Sequence, residues 1–115
     1  MKQRHCLILD LKDDPELIAT YVAWHRPGGP PRVVTDSIRA CGIEEMEIFI
    51  SGNRLVMIMD VLPHFDPAAK AARDAQDPEV QAWEKLMATY QQPVAWAGTQ
   101  KWLAAKSIYR LPEQR

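Results

Sequence analysis

This 115-residue sequence predicts an α+β fold with the element order of the ferredoxin-like split βαβ, one antiparallel sheet with helices on one face. Three patterns carry that expectation. Aspartate precedes proline at Asp14-Pro15, Asp66-Pro67 and Asp77-Pro78, and each pair is a helix start, with the carboxylate capping free amides and proline taking the first helical position. Met46, Ile48 and Ile50 alternate with Glu45, Glu47 and Phe49 as far as Ser51-Gly52-Asn53. Leu55 to Leu62 is apolar again, so the middle of the chain reads as a β-hairpin. A compact apolar run from Arg4 to Leu11 comes before all of this and suits a first strand.

The remaining elements follow in order. From Asp13 or Asp14 the first helix reaches about Arg26, where Pro27, Gly28 and Gly29 stop it. Pro31 opens a short second helix with Val34, Ile38 and Cys41 on one side, and Gly42 ends it. Residues 66–91 read as two helical pieces with a break near Gln76. In the second piece Val80, Trp83, Met87 and Tyr90 recur at spacings of three and four and so share an inward face. Burying one indole covers about 150 to 250 Å², so core packing alone accounts for Trp83. Residues 92–101 read as a loop pinned by Trp96 and Trp102, and the alternation of Lys106 to Leu111 predicts a closing strand that Pro112 ends. The far face of so small a sheet would be bare, and a second copy of the chain is the usual cover.

The length fits a single domain over residues 1–115, with room for a two-layer core. Apolar residues at 47% and charged residues at 25% are the balance of a soluble globular protein rather than a disordered one. Fourteen basic residues against fifteen acidic ones, with no basic tract, offer little to a phosphate backbone, so nucleic acid is not an expected partner. The apolar run Cys6 to Leu9 is too short for a signal peptide, and none approaches the roughly 20 residues of a membrane span. A cytoplasmic protein with no membrane partner is expected. Cys6 and Cys41 lie far apart and in no CxxC arrangement, and His5, His25 and His64 are scattered, so neither a disulfide framework nor a metal site is expected.

Chemistry concentrates in residues 17–26, LIATYVAWHR. Tyr21 and His25 are four apart and hence stacked neighbours on one helix face, able to present a phenol and an imidazole to one ligand. The stripe Ile18, Tyr21, Val22, His25 places that face inward. His25 would occupy the last turn, where the negative end of the helix dipole suits a proton donor. A histidine on an inward helix face is more often a hydrogen-bonded core residue, and that reading stands beside the functional one. Asp60, a lone acid in an apolar strand, needs solvent or a partner.

The segment Tyr21-Val22-Ala23-Trp24-His25 before Pro27, the hairpin MEIFISGNRLVMIMDV, the run Trp83-Glu84-Lys85-Leu86-Met87 and the closing IYRLPE together resemble the L-rhamnose mutarotase family over nearly the whole chain. The resemblance implies a homodimer of the dimeric α+β barrel type that interconverts the α and β anomers of a 6-deoxy-L-hexose, L-rhamnose or L-fucose, without a cofactor. It makes His25 the proton donor, Tyr21 a sugar contact and Trp83 the stacking indole. Two departures concern the sugar: Met46 stands where rhamnose members carry a second tyrosine, and Glu84 follows Trp83 where they have a second tryptophan. Ring opening needs a proton at the ring oxygen and removal of one from the anomeric hydroxyl, so Asp60 or Glu84 is the candidate base. Two alternatives stay open. One is a cofactor-independent or haem-degrading monooxygenase of the same fold, for which Asn53 would have to serve the site; the other is a sugar-sensing module without catalysis.

Overall fold

Each Asp-Pro pair starts a helix in the computed structural model of the chain, which describes residues 2–115. The carboxylate of Asp14 accepts from the amides of Glu16 at 2.9 Å and Leu17 at 3.1 Å, and Asp66 and Asp77 do the same for their own first turns. Asp14 rather than Asp13 is therefore the cap of α1 (Pro15–Trp24), Asp66 that of α3 (Pro67–Ala75) and Asp77 that of α4 (Pro78–Ala88). The second helix, α2 (Arg32–Ala40), follows Pro31. Gly42 closes it at φ +101°, a left-handed conformation that favours glycine; a Cβ there would lie 2.8 Å from Nε2 of the exposed His64, whose ring would have to swing aside.

The sheet runs in the order β2 (Ile43–Ser51), β3 (Arg54–Val61), β1 (Gln3–Leu11), all antiparallel to their neighbours. Gly52 and Asn53 connect the hairpin, and Asn53 ties its turn to the end of β1. Its side-chain amide donates to the carbonyl of Leu11 at 3.0 Å, and its own carbonyl accepts from Leu11 N at 2.7 Å. Register alternation divides the sheet into two faces. Leu9, Leu11, Leu55, Met57 and Val61 turn towards the helices and meet Tyr21, Val80 and Met87 in the core. Cys6, Ile8, Phe49, Val56 and Ile58 turn the other way, and no helix covers them among the described residues. Among those residues, too, no helix is long and apolar enough to cross a membrane.

The closing strand differs from expectation. Two short pieces, β4 (Gln91–Gln92) and β5 (Leu103–Ala104), share the free edge of β1, whereas Lys106 to Arg110 joins no strand among the described residues and Leu111–Glu113 forms a 3-10 turn. Ile108 is 92% exposed, and Tyr109 and Leu111 are exposed as well. The alternation in KSIYRL thus belongs to side chains that stand exposed rather than to a strand of the sheet.

Candidate functional site

The end of α1 holds the imidazole in one orientation. His25 is the C-cap residue, one position beyond the last helical turn, and its Nδ1 lies 2.7 Å from the carbonyl oxygen of Tyr21. A carbonyl only accepts, so Nδ1 carries the proton and Nε2 is the nitrogen left for a ligand. The Tyr21 ring lies beneath it, tilted by 34° at a centroid distance of 4.4 Å, and the Trp83 indole meets it edge-on at 5.7 Å. Trp24 packs against Trp83 at 5.9 Å and donates its indole N–H to the Tyr90 hydroxyl at 3.3 Å, bracing the indole from behind. Burial pushes the pKa of the Tyr21 phenol up, and the amide of Gln91, 3.5 Å away, offsets this only in part. Tyr21 is thereby kept as a neutral donor and acceptor, not a base.

The rings of Tyr21, His25 and Trp83 line a cavity of about 430 Å³ between the sheet and α1, α2 and α4, large enough for a monosaccharide. Tyr21, His25, Met46, Trp83 and Glu84, five of the residues singled out from sequence, all border it. Val22 does not belong to the inward stripe: it is 44% exposed. Asp60 does not border the cavity either. It is an odd number of residues from Met57, so its side chain leaves by the opposite face, where Arg4 Nε donates to it at 3.0 Å. Asp60 is therefore withdrawn as a base, and Glu84 is the exposed carboxylate at the cavity rim. Asn53, needed by a monooxygenase, is spent on Leu11. Two further clefts, along α2–α3 and α3–α4, are lined by arginines and aspartates and by no aromatic ring.

Sequence reasoning passed over several wall residues. The sequence presents Trp102 only as a loop anchor, yet it packs on the core and borders the cavity. Gln91 is buried, and its Oε1 has no hydrogen-bond partner among the described residues. Lys70 and Asp74, i and i+4 on α3, form an ion pair, and Ser37 on α2 donates to the same carboxylate at 2.5 Å. For Asp74 burial raises the pKa, but the hydrogen bonds from Lys70 and Ser37 outweigh it and the net direction is down. Between that depressed value and the ordinary 3.8 the unfolded chain binds more protons than the folded one. The stabilisation is complete above that window and lost as pH falls through it. Melting temperature measured from pH 6 down to 3 should accordingly fall more steeply for the wild type than for Asp74→Asn.

With this geometry in view, a family model described as L-rhamnose mutarotase matches residues 4–111. The chain belongs to the L-rhamnose mutarotase family. Mutarotases are isomerases, and the chain's relatives in the family include an L-fucose mutarotase of Xanthomonas campestris pv. campestris, 51% identical over 112 residues that cover 96% of this chain and 90% of that one. A UPF0734 protein of Dictyostelium discoideum is 31% identical over 76% of this chain and 69% of its own. An L-rhamnose mutarotase from Formosa agariphila superposes with a TM-score of 0.64 over 95% of this chain and 98% of that one. Tetracenomycin F2 cyclase from Streptomyces glaucescens, a type-II polyketide cyclase, superposes at 0.54 over 94% and 95%. Both structures are 17% identical to the chain, a level at which the likeness is one of fold.

Proposed function

We propose that the chain is a mutarotase of 6-deoxy-L-hexoses, with L-fucose its best substrate and His25 its proton-transfer group. The observation that carries the catalytic part is the bond from Nδ1 of His25 to the Tyr21 carbonyl, which leaves Nε2 the only ring atom for the sugar beside an aromatic wall. The preference for L-fucose rests on 51% identity to an L-fucose mutarotase, together with Met46 and Glu84 at two cavity positions.

The reaction asks little of a protein. With His25 as the imidazolium, Nδ1–H held by the Tyr21 carbonyl, Nε2–H delivers a proton to the ring oxygen, the C1–O5 bond breaks, and Glu84 takes the proton of the anomeric hydroxyl as the C1 carbonyl forms. Rotation about C1–C2 turns the aldehyde over, and reclosure returns both protons. Positioned acid and base groups contribute about 10² to 10⁴-fold. Trp83 offers the sugar's C–H face and methyl group a flat apolar surface. Saturation-transfer NMR on the anomeric protons of L-fucose and L-rhamnose tests the reading: exchange between α and β signals should quicken with enzyme, most for L-fucose. Binding without faster exchange would leave only a sensor.

The working form is a homodimer. Its support is the uncovered sheet face with Phe49 half exposed, and the extended tail bearing Ile108, Tyr109 and Leu111. The radius of gyration is 15.0 Å, against about 13 Å for a compact chain of this size. Light scattering should give twice the chain mass, and Ile58→Lys, on the bare face, should give the mass of one chain. A reducing compartment such as the cytoplasm fits the two free, half-buried thiols Cys6 and Cys41.

A further inference from the structure

The ion pair of Lys70 and Asp74 borders the cavity, and nothing in the proton-transfer chemistry uses it. Helix stability does not explain it. On α3 the lysine precedes the aspartate, the less favourable i,i+4 order, with the cation nearer the N-terminus and the anion nearer the C-terminus of the dipole. Packing does not explain it either, since apolar side chains of similar volume would join α2, α3 and α4 without the cost of desolvating two charges.

What the arrangement does achieve is a fixed ammonium. The Asp74 carboxylate takes Ser37 on one oxygen and Lys70 on the other, and its backbone carbonyl accepts from Gln81 Nε2 of α4 at 2.8 Å, so three helices hold it in place. An ammonium has three donors. Asp74 takes one, and the other two have no protein partner among the described residues, although the Lys70 side chain is only 22% exposed. Half-buried, anchored donors at a cavity wall are what a buried sugar hydroxyl requires, and a site built to bond a hydroxyl rejects the epimer that points it elsewhere.

We infer that Lys70, held by Asp74 and Ser37, is a specificity-determining residue that donates to a ring hydroxyl of the sugar and selects its configuration. This rests on the mutarotase reading above.

The test is a panel of L-fucose, L-rhamnose, 6-deoxy-L-glucose and 6-deoxy-L-talose, which differ only at C2 and C4, assayed by anomer exchange and by quenching of tryptophan fluorescence. The wild type should favour one of the four by roughly ten- to a hundredfold in kcat/KM. In Lys70→Met the spread should shrink to about twofold, mainly through a higher KM for the favoured sugar. Because Asp74 is then left unpaired, Lys70→Met/Asp74→Asn supplies the same comparison with the charge removed from both sides. Equal slowing of all four sugars, or an unchanged spread, in whichever variant folds would overturn the inference. Should the wild type speed no sugar yet bind one preferentially, with the preference lost in the variants, the catalytic reading falls and the Lys70 subsite stands. Absence of any binding sinks both.

Discussion

Replacing His25 by alanine should slow enzyme-dependent anomer exchange by about 10² to 10⁴-fold, with little change in sugar binding. The ring makes one hydrogen bond to the protein, to the Tyr21 carbonyl, so its loss frees an acceptor at a helix end that solvent can reach, and the fold should survive. Tyr21→Phe is the informative partner. Its hydroxyl has only the long contact to Gln91, and its ring, the stacking surface for His25, is retained in phenylalanine. A phenol that only positions the sugar should cost roughly tenfold, mostly in KM. A larger loss in Tyr21→Phe than in His25→Ala would exchange the roles of the two side chains.

Trp83→Ala should raise KM for L-fucose by roughly ten- to a hundredfold, through lost apolar area and lost stacking. It removes a wall of the cavity and the ring against which both His25 and Trp24 pack. Because the indole is part of the partly buried layer over the core, melting should also show a loss of up to about 3 kcal/mol. Trp83→Phe keeps a flat apolar face and should recover most of the affinity. If alanine leaves KM unchanged while stability drops, the indole is core packing and not a sugar platform.

What sequence reveals of this protein follows from how local each cause is. An aspartate carboxylate reaching amides two and three residues on is written in a tetrapeptide, and all three helix starts were legible there. The hairpin is likewise local, with its register fixed by Gly52-Asn53 and by alternation. Parity within that hairpin already sets Asp60 on the face opposite Met57 and Met46, so its exclusion from the cavity is written in the alternation itself. The closing strand was not available, because KSIYRL carries a strand's alternation while Ile108, Tyr109 and Leu111 stand exposed and the segment joins no strand among the described residues. The Lys70–Asp74 spacing can be read along α3, but its third member, Ser37, arrives from another helix and only folding joins them. The same holds for Gln91 and Trp102, which enter the cavity wall from the edge of the sheet and from the loop beyond it.

The tethered nitrogen of His25 also bears on traffic in the two directions. A catalyst of an equilibrium must lower the barrier for the forward and return journeys by the same factor, through one and the same transition state. In the proposed mechanism, with one edge of the imidazole bound to the main chain, the proton that opens a ring is recovered on closing by the atom that gave it. On that reading no group has to be reset between turnovers, and the protein leaves each cycle ready for whichever anomer diffuses in next.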